Sequence, residues 1–245
     1  MEQFWSFFSF PLNLLLAALW TIGWLWLMQN RRDCSAVRFM LSPAATVSAL
    51  IILLCSCLWI GFSGDRDFVQ SVFFVILLLY VQTVVFLITL RGIKTPAGKI
   101  RWRFIFIHVG FLLALGAGFW GSPDSTESRV ALSQDESTRM AYNLDGKTIA
   151  LPYELCLKDF KSEFEKGHPV HYEAVVSVNG NKNVTITVNH PYEVRFGEHI
   201  YLTNVSDRGC ILQIVREPWR YFSLIGIIML IAGAFMLFVK GPKRQ

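Results

Sequence analysis

Hydrophobic positions along this chain fall into two regimes. Long unbroken apolar runs occupy residues 10–28, 44–63, 68–90, 104–120 and 221–239, whereas apolar and polar residues alternate in short stretches between the fourth and fifth runs. A bilayer core of about 30 Å takes about 20 helical residues to cross, because backbone groups in lipid must be satisfied within the segment. The five runs therefore predict five transmembrane helices. The first run follows Glu2 with no Lys or Arg before it. It is also longer than the core of a signal peptide, so it is expected to remain as a helix.

The alternating region predicts strands. Residues 171–178 place Tyr172, Ala174, Val176 and Val178 on one face, and residues 184–188 repeat the period with Ile186 between Thr185 and Thr187. Asn179 and Gly180 between them suit a hairpin, since both tolerate the positive φ of a tight turn. Further strands are expected at 148–160, 192–196, 199–203 and 210–216. Residues 121–140 are rich in Ser, Thr and charge and read as a tether or extended loop. The expected fold is thus a membrane protein of about five transmembrane α-helices with a small extracytoplasmic all-β domain, a sandwich or open barrel, inserted between the fourth and fifth helices. The organisation follows: 1–120 as a four-helix membrane region, 121–218 as the β domain, and 219–245 as the last helix with a basic tail.

Composition agrees. Hydrophobic residues make up 53% of the 245 and charged residues 17%, below the roughly 25% charge of soluble domains. An ordinary soluble enzyme is excluded. The net charge of +5 is uneven: residues 121–218 hold 14 acidic and 10 basic side chains, so the remainder carries +9. The basic excess flanks the membrane segments, which points to membrane lipid and away from nucleic acid. Arg31, Arg32 and Arg38 follow the first run; Arg91, Lys94, Lys99, Arg101 and Arg103 separate the third and fourth; Lys240, Lys243 and Arg244 follow the fifth. Positively charged short loops stay in the cytoplasm. The C-terminus is therefore expected inside, and the N-terminus, the 64–67 turn and the β domain outside.

Candidate chemistry is sparse. His108 is the ionisable residue within the predicted spans, about 7 to 8 Å inside the boundary marked by Arg103. Such residues are costly in lipid and often functional. A neutral imidazole there could ligate a metal through one nitrogen and donate from the other; equally, it could hydrogen-bond Gln82 or Thr83 of a neighbouring helix. Trp20, Trp24, Trp26, Trp102, Trp120 and Trp219 read as interfacial anchors, and Gly110, Gly116, Gly118, Gly226 and Gly233 would let helices approach closely. Cys156 and Cys210 share the outer side, where a disulfide or two separate thiols are both open. His168, His171, His190 and His199 lack metal-motif spacing. Asp65 and Asp67 read as hairpin residues. No nucleophile elbow, phosphate loop, dinucleotide fingerprint or zinc-protease helix occurs, so no enzyme acting alone is expected.

Phe106, His108, Gly110 and Gly116, followed by Thr187, Asn189, Pro191, Gly197 and Tyr201, and then Arg216, Pro218, Trp219, Gly226 and Gly233, form an ordered set. This set resembles the ResB (CcsB) family of system II cytochrome c biogenesis proteins across roughly residues 100–240. The resemblance implies a bacterial inner membrane protein with a periplasmic β domain. It implies a non-catalytic subunit of a haem-lyase complex that acts with a CcsA-type membrane partner to move reduced haem and present it to apocytochrome c. His108 matches the family's membrane histidine, implied to be an axial ligand of haem b held transiently and shared with that partner. Arg101 and Arg103 could pair with the propionates, or simply snorkel at the helix end. The outer domain is short for the family, and four helices rather than three precede it. A second reading is a membrane-anchored scaffold or sensor whose β domain binds a protein, with no cofactor.

Overall fold

The computed structural model describes residues 7–64, 67–165, 168–180, 182–206 and 209–240. Side chains at 67 and 162–171, and those of Lys240, lie outside that description; so do Glu2, Asp65, Arg66, Lys243 and Arg244, and with them the side chains of Asp67, His168 and His171. The chain divides into two compact units, Met1–Pro123 with Trp219–Gln245, and Asp124–Pro218.

The first unit is helical. Its elements are α1 (Leu12–Asn30), the short α2 (Ser35–Met40), α3 (Pro43–Ser63), α4 (Val72–Gly92), α5 (Trp102–Gly121) and α6 (Arg220–Lys240). All except α2 are long and apolar enough to cross a membrane. Local chemistry sets the ends. Ser42 and Ser71 cap α3 and α4, their hydroxyls accepting from the Ala45 and Phe74 amides, and Gly64 closes α3 in the left-handed conformation.

Helices α4 and α5 run antiparallel. Gly92 near the end of α4 meets Phe104 at the start of α5, while Gln82 meets Trp120 at the other end. The α5–α6 contact is a glycine seam. A Cβ on Gly110 would lie 2.8 Å from the Gly226 carbonyl oxygen, one on Gly226 2.6 Å from the Ala114 nitrogen, and one on Gly233 2.6 Å from Ile107 Cγ1. The backbones touch because nothing stands between them, which is how small residues drive association in lipid. Gly116 and Gly118 are not part of this seam.

Two tryptophans expected at the interface are turned inward. Trp20 Nε1 donates to Thr83 Oγ1 at 3.2 Å, and Trp120 Nε1 donates to Gln82 Oε1 at 3.2 Å. An indole N–H inside hydrocarbon gains more from a protein acceptor than from none, and α4 supplies one for each.

The second unit is a single antiparallel sheet in the order β5-β4-β3-β2-β1-β8-β7-β6. Its strands are β1 (Thr126–Ser133), β2 (Ser137–Asn143), β3 (Thr148–Glu165), β4 (His168–Val178), β5 (Lys182–Thr187), β6 (Tyr192–Arg195), β7 (Glu198–Ser206) and β8 (Gly209–Arg216). Strands β4 and β5 also lie against β7, so the sheet curls over on itself. Val130, Leu132, Leu155, Leu157, Ala174, Val176, Ile186, Ile200, Leu212 and Ile214 fill the interior. Asn179 and Gly180 take positive φ at the β4–β5 hairpin as expected.

Residues 121–140 are not a tether. They contain β1 and most of β2, and β1 pairs with β8 along its whole length. The signal was weak because only Val130 and Leu132 of β1 are apolar and inward, while Arg129, Ala131 and Ser133 face outward. Half a strand's residues report the solvent side.

Cys156 and Cys210 are free thiols. Cys156 alternates with the core residues Leu155 and Leu157 and so points away from the interior, whereas Cys210 belongs to the core. Opposite faces of the sheet do not permit the bond.

Candidate functional site

The N-terminal turns of α5 bring together His108, Phe104 and Arg101. A helix stacks residues four apart, and here the Phe104 and His108 rings lie parallel with centroids 3.8 Å apart. The Arg101 guanidinium covers the Phe104 ring at 4.8 Å. Phe104 is seated in a notch of α4 at Gly92, where any Cβ would collide with the ring at 2.3 Å. The missing side chain at Gly92 thus sets the position of the whole column.

His108 Nδ1 lies 3.0 Å from the Phe104 carbonyl oxygen. A carbonyl can only accept, so Nδ1 carries the proton and the neutral ring presents its lone pair at Nε2. Among the described residues Nε2 has no hydrogen-bond partner. The Gln82 and Thr83 alternatives are not realised. Gln82 accepts from Trp120, with its own Nε2 buried and unpaired among the described residues, and Thr83 accepts from Trp20 and donates to the Leu79 carbonyl. A backbone acceptor on one imidazole nitrogen is the usual way a protein fixes the other for a metal. His108 is half-buried and, at about 100° per residue, sits about 160° around α5 from Gly110 and about 120° from Ala114, two of the positions that meet α6.

The arginines differ. Arg101 is exposed and reaches the Gly92 carbonyl at 3.4 Å. Arg103 is half-buried and forms no ion pair among the described residues. No cluster of three metal-binding side chains occurs among the described residues.

A separate cavity of about 900 Å³ lies between α1, α4 and α5. It is walled by Trp20, Phe74, Leu115, Phe119 and Trp120, and His108 is not part of its lining. The structure therefore does not bring the histidine and this hollow together.

The β unit holds a buried polar cluster that no local pattern along the chain singles out. Glu198, 2% exposed, accepts from Tyr153 Oη at 2.5 Å and from Arg195 Nε at 2.7 Å, with Arg195 Nη2 at 2.5 Å. Tyr153 is on β3 and Glu198 on β7, strands that are not neighbours in the sheet. The cluster ties opposite walls of the curled sheet. A glutamate at the first position of a strand reads as solvated until the sheet closes over it.

Burial, then the Glu198 hydrogen bond and charge, raise the Tyr153 phenol well above its ordinary range. Burial pushes the Cys210 thiol up to about 11. Both groups hold their proton more tightly when folded. Their contribution is complete below the unfolded values of about 8.5 for Cys and about 10 for Tyr, and is lost as pH rises toward the folded ones. The expected outcome is a melting temperature that falls from about pH 9 upward. Iodoacetamide at pH 8 should leave Cys210 unlabelled until the protein unfolds, its thiolate being on the order of a hundredfold scarcer than usual. Fast labelling of Cys210 in the folded protein, read by peptide mass, would contradict this.

The molecule so defined is a polytopic helical protein with a half-buried histidine on one helix and a curled β unit in the same chain. Residues 99–211, which run from just before α5 to the middle of β8, match the model of the ResB-like family. Over that stretch the chain is similar to the ResB-like family, in agreement with the resemblance read from its sequence. No curated protein matches the chain. Among solved structures, "Cytochrome c Heme Lyase CcmF" is similar over 91% of this chain at 14% identity and a TM-score of 0.40. The chain spans 45% of that protein's length.

Proposed function

We propose that this protein is a ResB-type component of cytochrome c biogenesis. It resides in a bacterial inner membrane with the β unit periplasmic and the C-terminus cytoplasmic. It works with a CcsA-type membrane partner to hold reduced haem and present it to apocytochrome c, as a non-catalytic subunit. The observation that carries the reading is that the ResB-like match covers both His108 and most of the β unit. We infer the same division of labour as the sequence suggested: 1–120 as membrane region, 121–218 as outer domain, 219–245 as final helix and tail.

The residues fit haem b on the evidence of one nitrogen. With Nδ1 held by the Phe104 carbonyl, His108 Nε2 is left with its lone pair and without a hydrogen-bond partner among the described residues. Haem, when bound, supplies the redox-active iron and the vinyl groups that become attached to the cytochrome. This chain's part is to fix the imidazole tautomer, hold its depth and exclude water with α5's apolar neighbours. Arg101 shares the face of α5 that carries Phe104 and His108, while Arg103 lies about 140° around the helix, so Arg101 is the better placed of the two arginines to meet a propionate. A second ligand would come from the partner.

The test is the haem spectrum of the protein co-purified with its membrane partner. His108→Ala should lower haem content on the order of tenfold or more, and added imidazole should restore part of it. Unchanged haem would reject the ligand role and favour the cofactor-free scaffold.

A further inference from the structure

We propose that the cavity between α1, α4 and α5 is a phospholipid site that holds an acyl chain of the leaflet at that end of the helices. The cavity's volume of about 900 Å³ falls within the range of about 300 to 1,000 Å³ for ligand pockets. Leu16 and Trp20 of α1, Phe74 and Leu78 of α4, and Leu115 and Trp120 of α5 form its walls.

The polar groups within the cavity are already satisfied by protein. Asn13 Nδ2 donates to the Trp120 carbonyl at 2.8 Å, Asn13 Oδ1 accepts from the Leu14 amide, Trp20 Nε1 donates to Thr83, and Trp120 Nε1 donates to Gln82. These buried bonds leave an occupant chiefly hydrocarbon contact, which suits an acyl chain better than a ligand whose polar group must be recognised inside, such as a quinone ring. The described lining includes no His, Cys, Met, Lys or Arg, so neither iron nor a propionate finds a partner there. Two polar side chains, the half-buried Gln70 and the exposed Ser122, belong to the same lining and suit a headgroup edge.

The packing of α1 requires such an occupant. Asn13 is its one buried residue, and the helix is pinned to the others by two polar bonds, Asn13 to Trp120 and Trp20 to Thr83. Leu16 lies between those pins and faces the hollow. The hollow is open on one side, and left empty at membrane depth its lining would forfeit dispersion contacts. At membrane depth the filler at hand is an acyl chain.

Gly118 lines the cavity, and a Cβ there meets nothing within 4 Å. Gly118→Trp should therefore fill the space and help the helix. The full-length protein, purified in detergent from vesicles containing dibrominated phosphatidylcholine, should retain a single brominated phospholipid per chain by native mass spectrometry. Gly118→Trp should lose it with no fall in melting temperature. Gly23→Trp, on α1 with nothing within 4 Å and outside the cavity lining, should keep it. Should the tryptophan itself destabilise the protein, Gly118→Leu must show the same loss. Equal retention by wild type and the filled variants would mean annular lipid only and overturn the proposal, as would recovery of a quinone or haem from this site. The outcome does not depend on haem at His108.

Discussion

Gly226→Leu is expected to unseat α6 from α5 and to cost about 3 kcal/mol, the upper end of overpacking effects. The reason is geometric. A Cβ at Gly226 would sit 2.6 Å from the Ala114 nitrogen and 2.7 Å from the Gly110 carbonyl oxygen, both backbone atoms that no rotamer change can move. The helices must separate, and in lipid they then lose the close contact that holds them. The expected readout is a melting temperature several degrees lower in detergent, with early aggregation. Gly23→Leu is the control, since nothing lies within 4 Å of its Cβ. Equal stability of the two variants would show that the seam contributes little.

Glu198→Ala should be comparably severe in the β unit. It strips acceptors from Tyr153, which is 5% exposed, and from Arg195 at once. Orphaning a buried hydroxyl costs about 1 to 3 kcal/mol. Arg195 adds less, because its side chain is 47% exposed and water can replace the lost partner. A total of about 3 kcal/mol is expected, corresponding to a fall of about 10 °C or more for a unit of this size. Glu198→Gln, which keeps an acceptor for Tyr153, should lose less. The measurement is hydrogen exchange of β3 and β7 amides in the full-length protein, with protection falling in both strands together. Loss confined to β7 would mean that the cluster does not join the two walls.

Much of the architecture was legible along the chain, for identifiable reasons. The five helices were visible because a lipid-facing helix must be apolar on nearly every side, so each span reads as a continuous run. The β4–β5 hairpin was visible because positive φ restricts the turn residues to types such as Asn179 and Gly180. Strand β1 was hidden by its own chemistry. Its outward residues are polar, and two apolar residues do not make a period.

His108 was legible as an exception to the composition of its helix. Its surroundings were not. Phe104 four residues earlier supplies both the stacked ring and the carbonyl acceptor, so the local helix could have suggested part of the arrangement. The notch at Gly92 could not be foreseen, because it depends on which helix lies beside α5.

The sequence by itself determined what each segment had to avoid: water for the five apolar runs, an unpaired edge for the alternating strands, hydrocarbon for the basic links. Those are local demands, met by solvent preference and backbone periodicity, and they can be read one segment at a time. The tertiary structure alone decided which groups met. It paired Trp20 with Thr83, Trp120 with Gln82 and Tyr153 with Glu198, separated Cys156 from Cys210, and left a hollow away from the histidine. Contacts between residues tens of positions apart depend on helix crossing and strand order, and no local pattern encodes either.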